Sequence, residues 1–304
     1  MESMKSVIRV GTGGWEHEVF DACLYPRPGL TSAEKLAYYA RFFQAVEVRA
    51  TFWDDALTAD DAREWTSAVA DQPGFQLNVK LHASFTHGRS IRPELTRSVR
   101  EILQALHRHD RLGSLLVQFP YAFTNTGSNR HHIVKLAETF AGYPLHVEFR
   151  HQSWNQEGLT SFLEGHGLGI VGADMPRIRQ FMPFVAAVSG PTAYLRLHGR
   201  NEKGWMLNGY DARYDYQYNS RETREITRRL RGLERRSKNV TVICNNTTGG
   251  KAIPVAFQLM AALREGNSVA IPPRALEAFP FLRSIARDET GETPLLDTGY
   301  RRAI

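Results

Sequence analysis

Short runs in which apolar and polar residues alternate recur along the chain, separated by stretches whose apolar residues return every three or four positions. Eight runs have the length and composition of strands: VIRVG (7–11), AVEVRATF (45–52), FQLNVKL (75–81), SLLVQF (114–119), LHVEFR (145–150), GIVGAD (169–174), AYLRLHG (193–199) and VTVICNN (240–246). The intervals read as helices. TSAEKLAYYARFFQ opens on Thr31 with Glu34 three residues later, a capping box; PELTRSVREILQALHRH begins with proline, whose missing N–H is harmless in a first turn; AFQLMAALRE closes the series. Eight βα units without a linker predict an α/β protein, a single-domain (β/α)8 TIM barrel over residues 1–270. One unit is irregular. Residues 175–192, MPRIRQFMPFVAAVSGPT, are broken by prolines and lack a helical period, so a loop is expected there. Residues 271–304 are expected to form a C-terminal extension packed on the barrel.

A parallel strand covered on both faces normally reads as nearly continuous Val, Ile and Leu, because a charge without a partner is expensive there. LHVEFR breaks that rule. Side chains point alternately to two faces, so the apolar set of each strand packs against helices and the other set faces the barrel axis. In the second strand Val46 and Val48 pack outward, leaving Glu47, Arg49 and Thr51 inside. The third sends Gln76, Asn78, Lys80 and His82 inward, the fifth His146, Glu148 and Arg150, and the seventh Tyr194, Arg196 and His198. The same parity adds Gln118 of the fourth strand, Asp174 of the sixth and Asn245 of the eighth. Two readings are open. One is an interior lattice in which Glu47, Glu148 and Asp174 neutralise Arg49, Lys80, Arg150 and Arg196; the other is a ligand site. Buried pairs gain little over apolar packing, which favours the site. Four cations against three carboxylates favour a ligand carrying negative charge, and barrel active sites gather at the strand C-termini.

Composition narrows the setting. With 304 residues, 42% hydrophobic and 23% charged, the chain has the make-up of a globular protein. No stretch approaches the roughly 18 continuous apolar residues of a membrane span, and MESMKSVIRV has no apolar core like that of a secretion signal. Cys23 and Cys244 are too few for a disulfide framework and lack zinc-ligand spacing. A cytoplasmic location without membrane association is expected. The net charge of +6 favours acidic partners. Its densest run, RETREITRRLRGLERRSK (221–238), also holds Glu222, Glu225 and Glu234 with Ile226, Leu230 and Leu233 at helical spacing, and reads as a solvated amphipathic helix.

The loops after the strands add further candidates. GTGGW (11–15) allows close backbone approach beside Trp15 but lacks a dinucleotide fingerprint and the Lys-Ser/Thr of a P-loop. NNTTGGK (245–251) follows the eighth strand, the commonest barrel position for a phosphate cradle, and would bring Asn245 and Asn246 to a ligand; an ordinary glycine loop is the alternative. Trp15, Phe52, Trp53 and Trp154 follow strands and are placed to stack on a ring or to pack the rim. His87 and His198 are candidates for proton transfer or for structural hydrogen bonding. The expected catalytic set is Glu47, Glu148, Asp174 and His198. The expected ligand-binding set is Trp15, Arg49, Lys80, His87, Gln118, Arg150, Trp154, Arg196, Asn245 and Asn246. No metal or other cofactor is expected: there is no His-Glu-x-x-His, and the cations would compete with a metal for the same carboxylates.

GTGGW, VEVRATFW, FQLNVKLHASFTH, LLVQFPYAF, HVEFRHQSW, YLRLHGRN with RYDYQY, and VICNNTTGGKA occur in that order over residues 7–265 and together resemble the YecE-like family, domain of unknown function 72. The resemblance implies a TIM barrel and, through the fold's likeness to the endonuclease IV and xylose isomerase group, a nucleic-acid or phosphodiester role. The chain departs from the family pattern at Arg49–Trp53, where Asn with Ser-Thr-Phe-Tyr is more usual, at Thr247 and at Val255-Ala256.

Two classes of function remain. The first is a hydrolase or lyase acting on a phosphorylated or carboxylated small molecule, with Lys80, Arg150 and Arg196 holding the anion and Glu47 or Glu148 moving a proton. A metal-dependent variant would use Glu47, Glu148, Asp174 and His198 to activate water on a phosphodiester, as in the barrel nucleases. The second is a non-catalytic binder of nucleic acid or nucleotide with a basic mouth and an aromatic rim.

Overall fold

The structure, a computed structural model, describes residues 6–188, 192–206, 210–264 and 268–287. Eight parallel strands close into a barrel in chain order: β1 Val7–Thr12, β2 Ala45–Val48, β3 Gln76–Lys80, β4 Leu112–Gln118, β5 Leu145–Glu148, β6 Leu168–Asp174, β7 Thr192–Leu197 and β8 Asn239–Cys244. β8 closes on β1, with Val7 opposite Asn239 and Thr12 opposite Cys244. β2 and β5 stop earlier than their alternation suggests because a turn of 3-10 helix follows each, Ala50–Phe52 and Gln152–Trp154. Arg49 and Arg150 thereby stand just past the strand ends.

The helices follow the sequence signals. Thr31 and Glu34 form the capping box of Ser32–Ala40, with the Glu34 N–H donating to Thr31 Oγ1 at 3.2 Å and the Thr31 N–H donating to Glu34 Oε2 at 2.8 Å. Pro93 opens Pro93–Arg108. Ser220–Glu234 buries Ile226, Leu230 and Leu233 and pairs Arg229 with Glu225 at 2.7 Å and Arg231 with Glu234 at 2.9 Å, so the basic run is a helix with a charged outer face. Residues 175–188 form no helix, in keeping with their prolines; 189–191 lie outside the described residues. This segment folds across the mouth, where Phe181 bridges His151 and the Met182 N–H donates to the Arg150 carbonyl at 2.8 Å. Pro273–Ala278 and Pro280–Ile285 pack against Glu18–Cys23 and Ala252–Leu263, burying Ala275 and Leu282. The remainder of the expected C-terminal extension, 288–304, lies outside the described residues. Among the described residues no helix is long and apolar enough to cross a membrane. Cys23 and Cys244 are free, buried thiols.

A large core fills the space between sheet and helices, and a second cluster of Ala45, Leu116, Val171, Tyr194 and Ile243 plugs the barrel interior. Two residues further along four of those strands stand Glu47, Gln118, Arg196 and Asn245, on the same inward face. A polar layer therefore sits on an apolar plug.

β1 approaches β2 so closely at Gly11 that an added Cβ would lie 1.7 Å from the Ala45 carbonyl oxygen, a backbone atom of the sheet itself. Gly11→Ala is expected to cost about 1–3 kcal/mol or more in urea denaturation, because the strand pair must part. Gly232, inside Ser220–Glu234 with nothing near its would-be Cβ, is the opposite case. Gly232→Ala is expected to stabilise by roughly 0.5–1 kcal/mol in the same assay.

Candidate functional site

Directly above the plug, Glu47, Glu148 and Arg196 meet out of reach of solvent. Arg196 donates through Nη2 to Glu47 Oε1 at 2.7 Å and through Nη1 to Glu148 Oε2 at 2.6 Å. The Tyr194 hydroxyl donates to Glu47 Oε2 at 3.2 Å. Arg150 Nη2 donates to Glu148 Oε1 at 2.7 Å, and His198 Nε2 stands 3.1 Å from that same oxygen. Burial alone would raise the Glu148 carboxyl, but Arg150, Arg196 and His198 more than reverse it and hold the group well below the usual carboxylate range. Burial, then repulsion from Arg150, lowers His198 to about 3 against the pull of Glu148, so its ring is neutral. Nδ1 then accepts from Asn245 Nδ2 at 3.0 Å while Nε2–H donates to Glu148, the tautomer compatible with both contacts. A Cβ on Gly13 would lie 2.1 Å from Asn245 Oδ1, which explains the glycine in GTGGW. With two carboxylates and two guanidiniums, this floor is neutral.

Above the floor opens a cavity of about 750 Å³. Arg49, Lys80, Arg150 and Arg213 supply its charge, Phe52, Trp53, Tyr121, Phe181, Trp205 and Tyr214 its aromatic walls, and His87, Gln118 and Pro120 the rest. No carboxylate lines it among the described residues. The Lys80 ammonium lies 3.6 Å from the centre of the Phe52 ring and makes no ion pair among the described residues. Its backbone is pinned by Thr51 Oγ1, which donates to the Lys80 carbonyl at 2.7 Å. Burial, then Arg196, lowers the Lys80 amine to about 7, with Glu47 opposing. Partial burial, then Lys80 and Arg150, lowers His87 to about 4. Arg150 and Arg213 flank one indole, at 5.2 and 5.7 Å from the Trp205 ring centre. Arg213 Nε and Trp205 Nε1 are buried donors without an acceptor among the described residues.

Of the expected ligand-binding residues, Arg49, Lys80, His87, Gln118 and Arg150 line this cavity. Glu47, Glu148, Arg196, His198 and Asn245 form the floor, so the lattice and the cavity are two tiers of one structure. Asp174 is a correction. Ile170 belongs to the outer core and Val171 to the interior plug, so Asp174, at the parity of Ile170, leaves the axis. It is held there by Arg200 Nε at 2.9 Å and the Tyr218 hydroxyl at 2.6 Å. Trp154 is a second correction: it is a core residue, stacked 4.2 Å from Phe149, with its N–H donating to the Phe123 carbonyl at 2.7 Å. Trp15 is buried beside Trp65 and lines a side recess with Arg49 and Trp53. His82 turns to Asp55 Oδ1 at 2.8 Å, because β3 has ended at Lys80.

NNTTGGK is a glycine loop whose polar side chains are held by neighbouring segments, with Gly249 exposed. Asn246 Nδ2 donates to the Tyr216 carbonyl at 2.8 Å, Thr248 Oγ1 to the Asp211 carbonyl at 2.8 Å, Lys251 pairs with Asp215, and Gly250 packs on Cys23. Among the described residues no three His, Cys, Asp or Glu side chains gather as metal ligands. Asp174 lies apart from Glu47, Glu148 and His198, and guanidiniums already hold those carboxylates. The alternation rule missed Tyr121, Phe181, Trp205, Arg213 and Tyr214, which reach the cavity from loops and short helices; the aromatic density of RYDYQY was their one visible signal.

The family described as Protein of unknown function DUF72 matches residues 9–278. The chain belongs to the DUF72 family. This DUF72 protein is 29% identical over 291 residues to the UPF0759 protein YunF of Bacillus subtilis (strain 168), covering 90% of this chain and 100% of that one. The crystal structure of a DUF72 family protein from Thermotoga maritima MSB8 matches with a TM-score of 0.75 at 30% identity, over 85% of this chain and 100% of the other. One from Enterococcus faecalis V583 matches at 0.74 and 25%, over 84% and 95%. The TIM barrel and the family resemblance read from the sequence both hold.

Two outcomes are expected of this DUF72 floor and cavity. Arg196→Leu should cost about 3–5 kcal/mol in chemical denaturation, since it strands two buried carboxylates. Between about pH 7 and the ordinary lysine value near 10.4, the unfolded chain keeps on Lys80 a proton that the folded chain has lost, so stability rises with pH across that window. The denaturation midpoint of the wild type should therefore gain on that of Lys80→Met from pH 7 to 10, with a constant gap below pH 7.

Proposed function

We propose that this DUF72 barrel binds a small phosphorylated or carboxylated ligand at its C-terminal mouth and acts on it as a hydrolase or lyase by acid/base chemistry. The observation that carries this reading is a cavity whose described lining holds four cations and no carboxylate. Because the floor is already neutral, Arg213 pairs with no carboxylate among the described residues, and an anion supplies the counterpart. The buried donors Arg213 Nε and Trp205 Nε1 have the same need for an acceptor. The aromatic walls accommodate the apolar body of such a ligand.

The floor carboxylates are poor candidates for moving the proton. Glu47 and Glu148 are sealed from the cavity, and each of their oxygens is already hydrogen-bonded. Lys80 and His87 are better placed. An amine that titrates near 7 exchanges protons efficiently at neutral pH, since its two forms are equally available.

Trp53 and Tyr121, 60% and 43% exposed at the rim, favour a second reading in which bases of a single-stranded nucleic acid stack at the mouth. Calorimetric titration separates the two. Inorganic phosphate and glycerol phosphate are expected to bind, and Arg213→Met to weaken both by about 10- to 100-fold, the loss of one charge-assisted hydrogen bond. Oligonucleotide binding with a steep salt dependence, together with no response to either phosphate, would transfer the site to the second reading.

A further inference from the structure

We infer that Lys80 is a covalent nucleophile that forms an imine with an anionic carbonyl compound, an aldehyde or ketone bearing a carboxylate or phosphate. The inference rests on the anion-binding reading above and names the substrate class within it. The starting point is geometric. Lys80 ends β3 inside the mouth, its backbone fixed by Thr51, its ammonium against the Phe52 ring at 3.6 Å and open to the cavity. The carboxylates that would ordinarily capture a buried lysine are taken by Arg150 and Arg196 beneath it. Among the described residues its amine is thereby left without a hydrogen-bonding partner, and it faces the cavity. Arg150 and Arg213, flanking Trp205, are available for the acidic group of the same ligand.

A lysine becomes a nucleophile when it is desolvated beside other cations, because the neutral amine holds the reactive lone pair. Lys80 meets that description, with an amine lowered to about 7 by burial and by Arg196. An ordinary surface lysine near 10.4 is neutral in only about one molecule in 2,500 at pH 7. In the reaction the amine nitrogen attacks the carbonyl carbon, forming a C–N bond while the carbonyl π pair moves to oxygen. Two protons, one from the nitrogen and one from the medium, end on that oxygen, the C–O bond breaks, and water leaves. The product is an iminium cation, with no change of oxidation state. Glu47 and Glu148 below provide a favourable field for that cation. The iminium then accepts the electron pair of an adjacent C–H or C–C bond, which is lyase chemistry, and His87, neutral at pH 7, is placed to take a released proton.

The test is reductive trapping on the full chain with glyoxylate and, separately, glycolaldehyde phosphate, using cyanoborohydride at pH 7 and peptide mapping by mass spectrometry. Labelling at Lys80 is expected to run at least about tenfold faster than at any other lysine, following its larger neutral fraction. It should vanish in Lys80→Arg and slow when inorganic phosphate competes. Adducts spread evenly over the lysines, or none at all, would overturn the inference. Thermal shift with inorganic phosphate on the wild type and on Lys80→Arg is measured alongside. A phosphate shift without a Lys80 adduct removes the imine and leaves the anion site standing; absence of both removes the two together.

Discussion

The Arg196 guanidinium bridging Glu47 and Glu148 is the contact on which the organisation of the mouth depends. It crosses the barrel from β7 to reach carboxylates on β2 and β5, and all three groups have given up their water. An isolated charge there would cost far more than a strand pair returns, so the groups are tolerable only as a set. The set then constrains its neighbours. Glu148 fixes Arg150 and the His198 tautomer, His198 fixes Asn245, and Asn245 excludes a side chain at Gly13. These ion pairs form a connected deck across the barrel, closed below by Ala45, Leu116, Val171, Tyr194 and Ile243.

Because that deck is neutral and its carboxylate oxygens are filled, it sets the electrostatic surroundings of the residues above it. Lys80 would have been an ordinary lattice member had Glu47 or Glu148 retained a free oxygen. With those oxygens filled, its charge is opposed only at a distance and Arg196 repels it, which is why burial moves its titration so far. The lattice and the cavity are thus not alternatives: the lattice takes up Glu47 and Glu148, and no carboxylate is left in the cavity lining among the described residues.

How much of this was legible in the sequence follows from which contacts obey a period. Residues such as Glu47, Glu148 and Arg196 alternate with Val, Leu and Phe, and that contrast identified eight strands and the inward direction for most of them. In GIVGAD the contrast vanishes, since Gly, Ala, Ile and Val suit either face, and counting from it points Asp174 inward, whereas it stands outside with Arg200 and Tyr218. Trp154 illustrates a different limit. An aromatic just after a strand looks the same in sequence whether the chain continues along the rim or turns down into the core; the turn Gln152–Trp154 takes it down onto Phe149. Arg213, Trp205 and Phe181 were invisible because no spacing ties them to β3 or β5. They meet Lys80 and Arg150 only because irregular segments fold over the mouth.

The coupling between Lys80 and any bound anion sets a limit on how the cavity can work. An anion placed against the amine would favour its protonated form and quench the lone pair, as Glu47 and Glu148 already do in part from below. For Lys80 to act as a nucleophile or base, the acidic group of the ligand must rest elsewhere, with the reacting carbon toward Phe52. Arg213 and Arg150, on the Trp205 wall, offer that separate position. A guanidinium keeps its charge throughout the accessible pH range, so it holds an anion without titrating, while lysine is the cation whose proton a protein can readily remove. Under the proposed imine chemistry, arginines would bind the ligand and Lys80 would react with it, a division that follows from that difference.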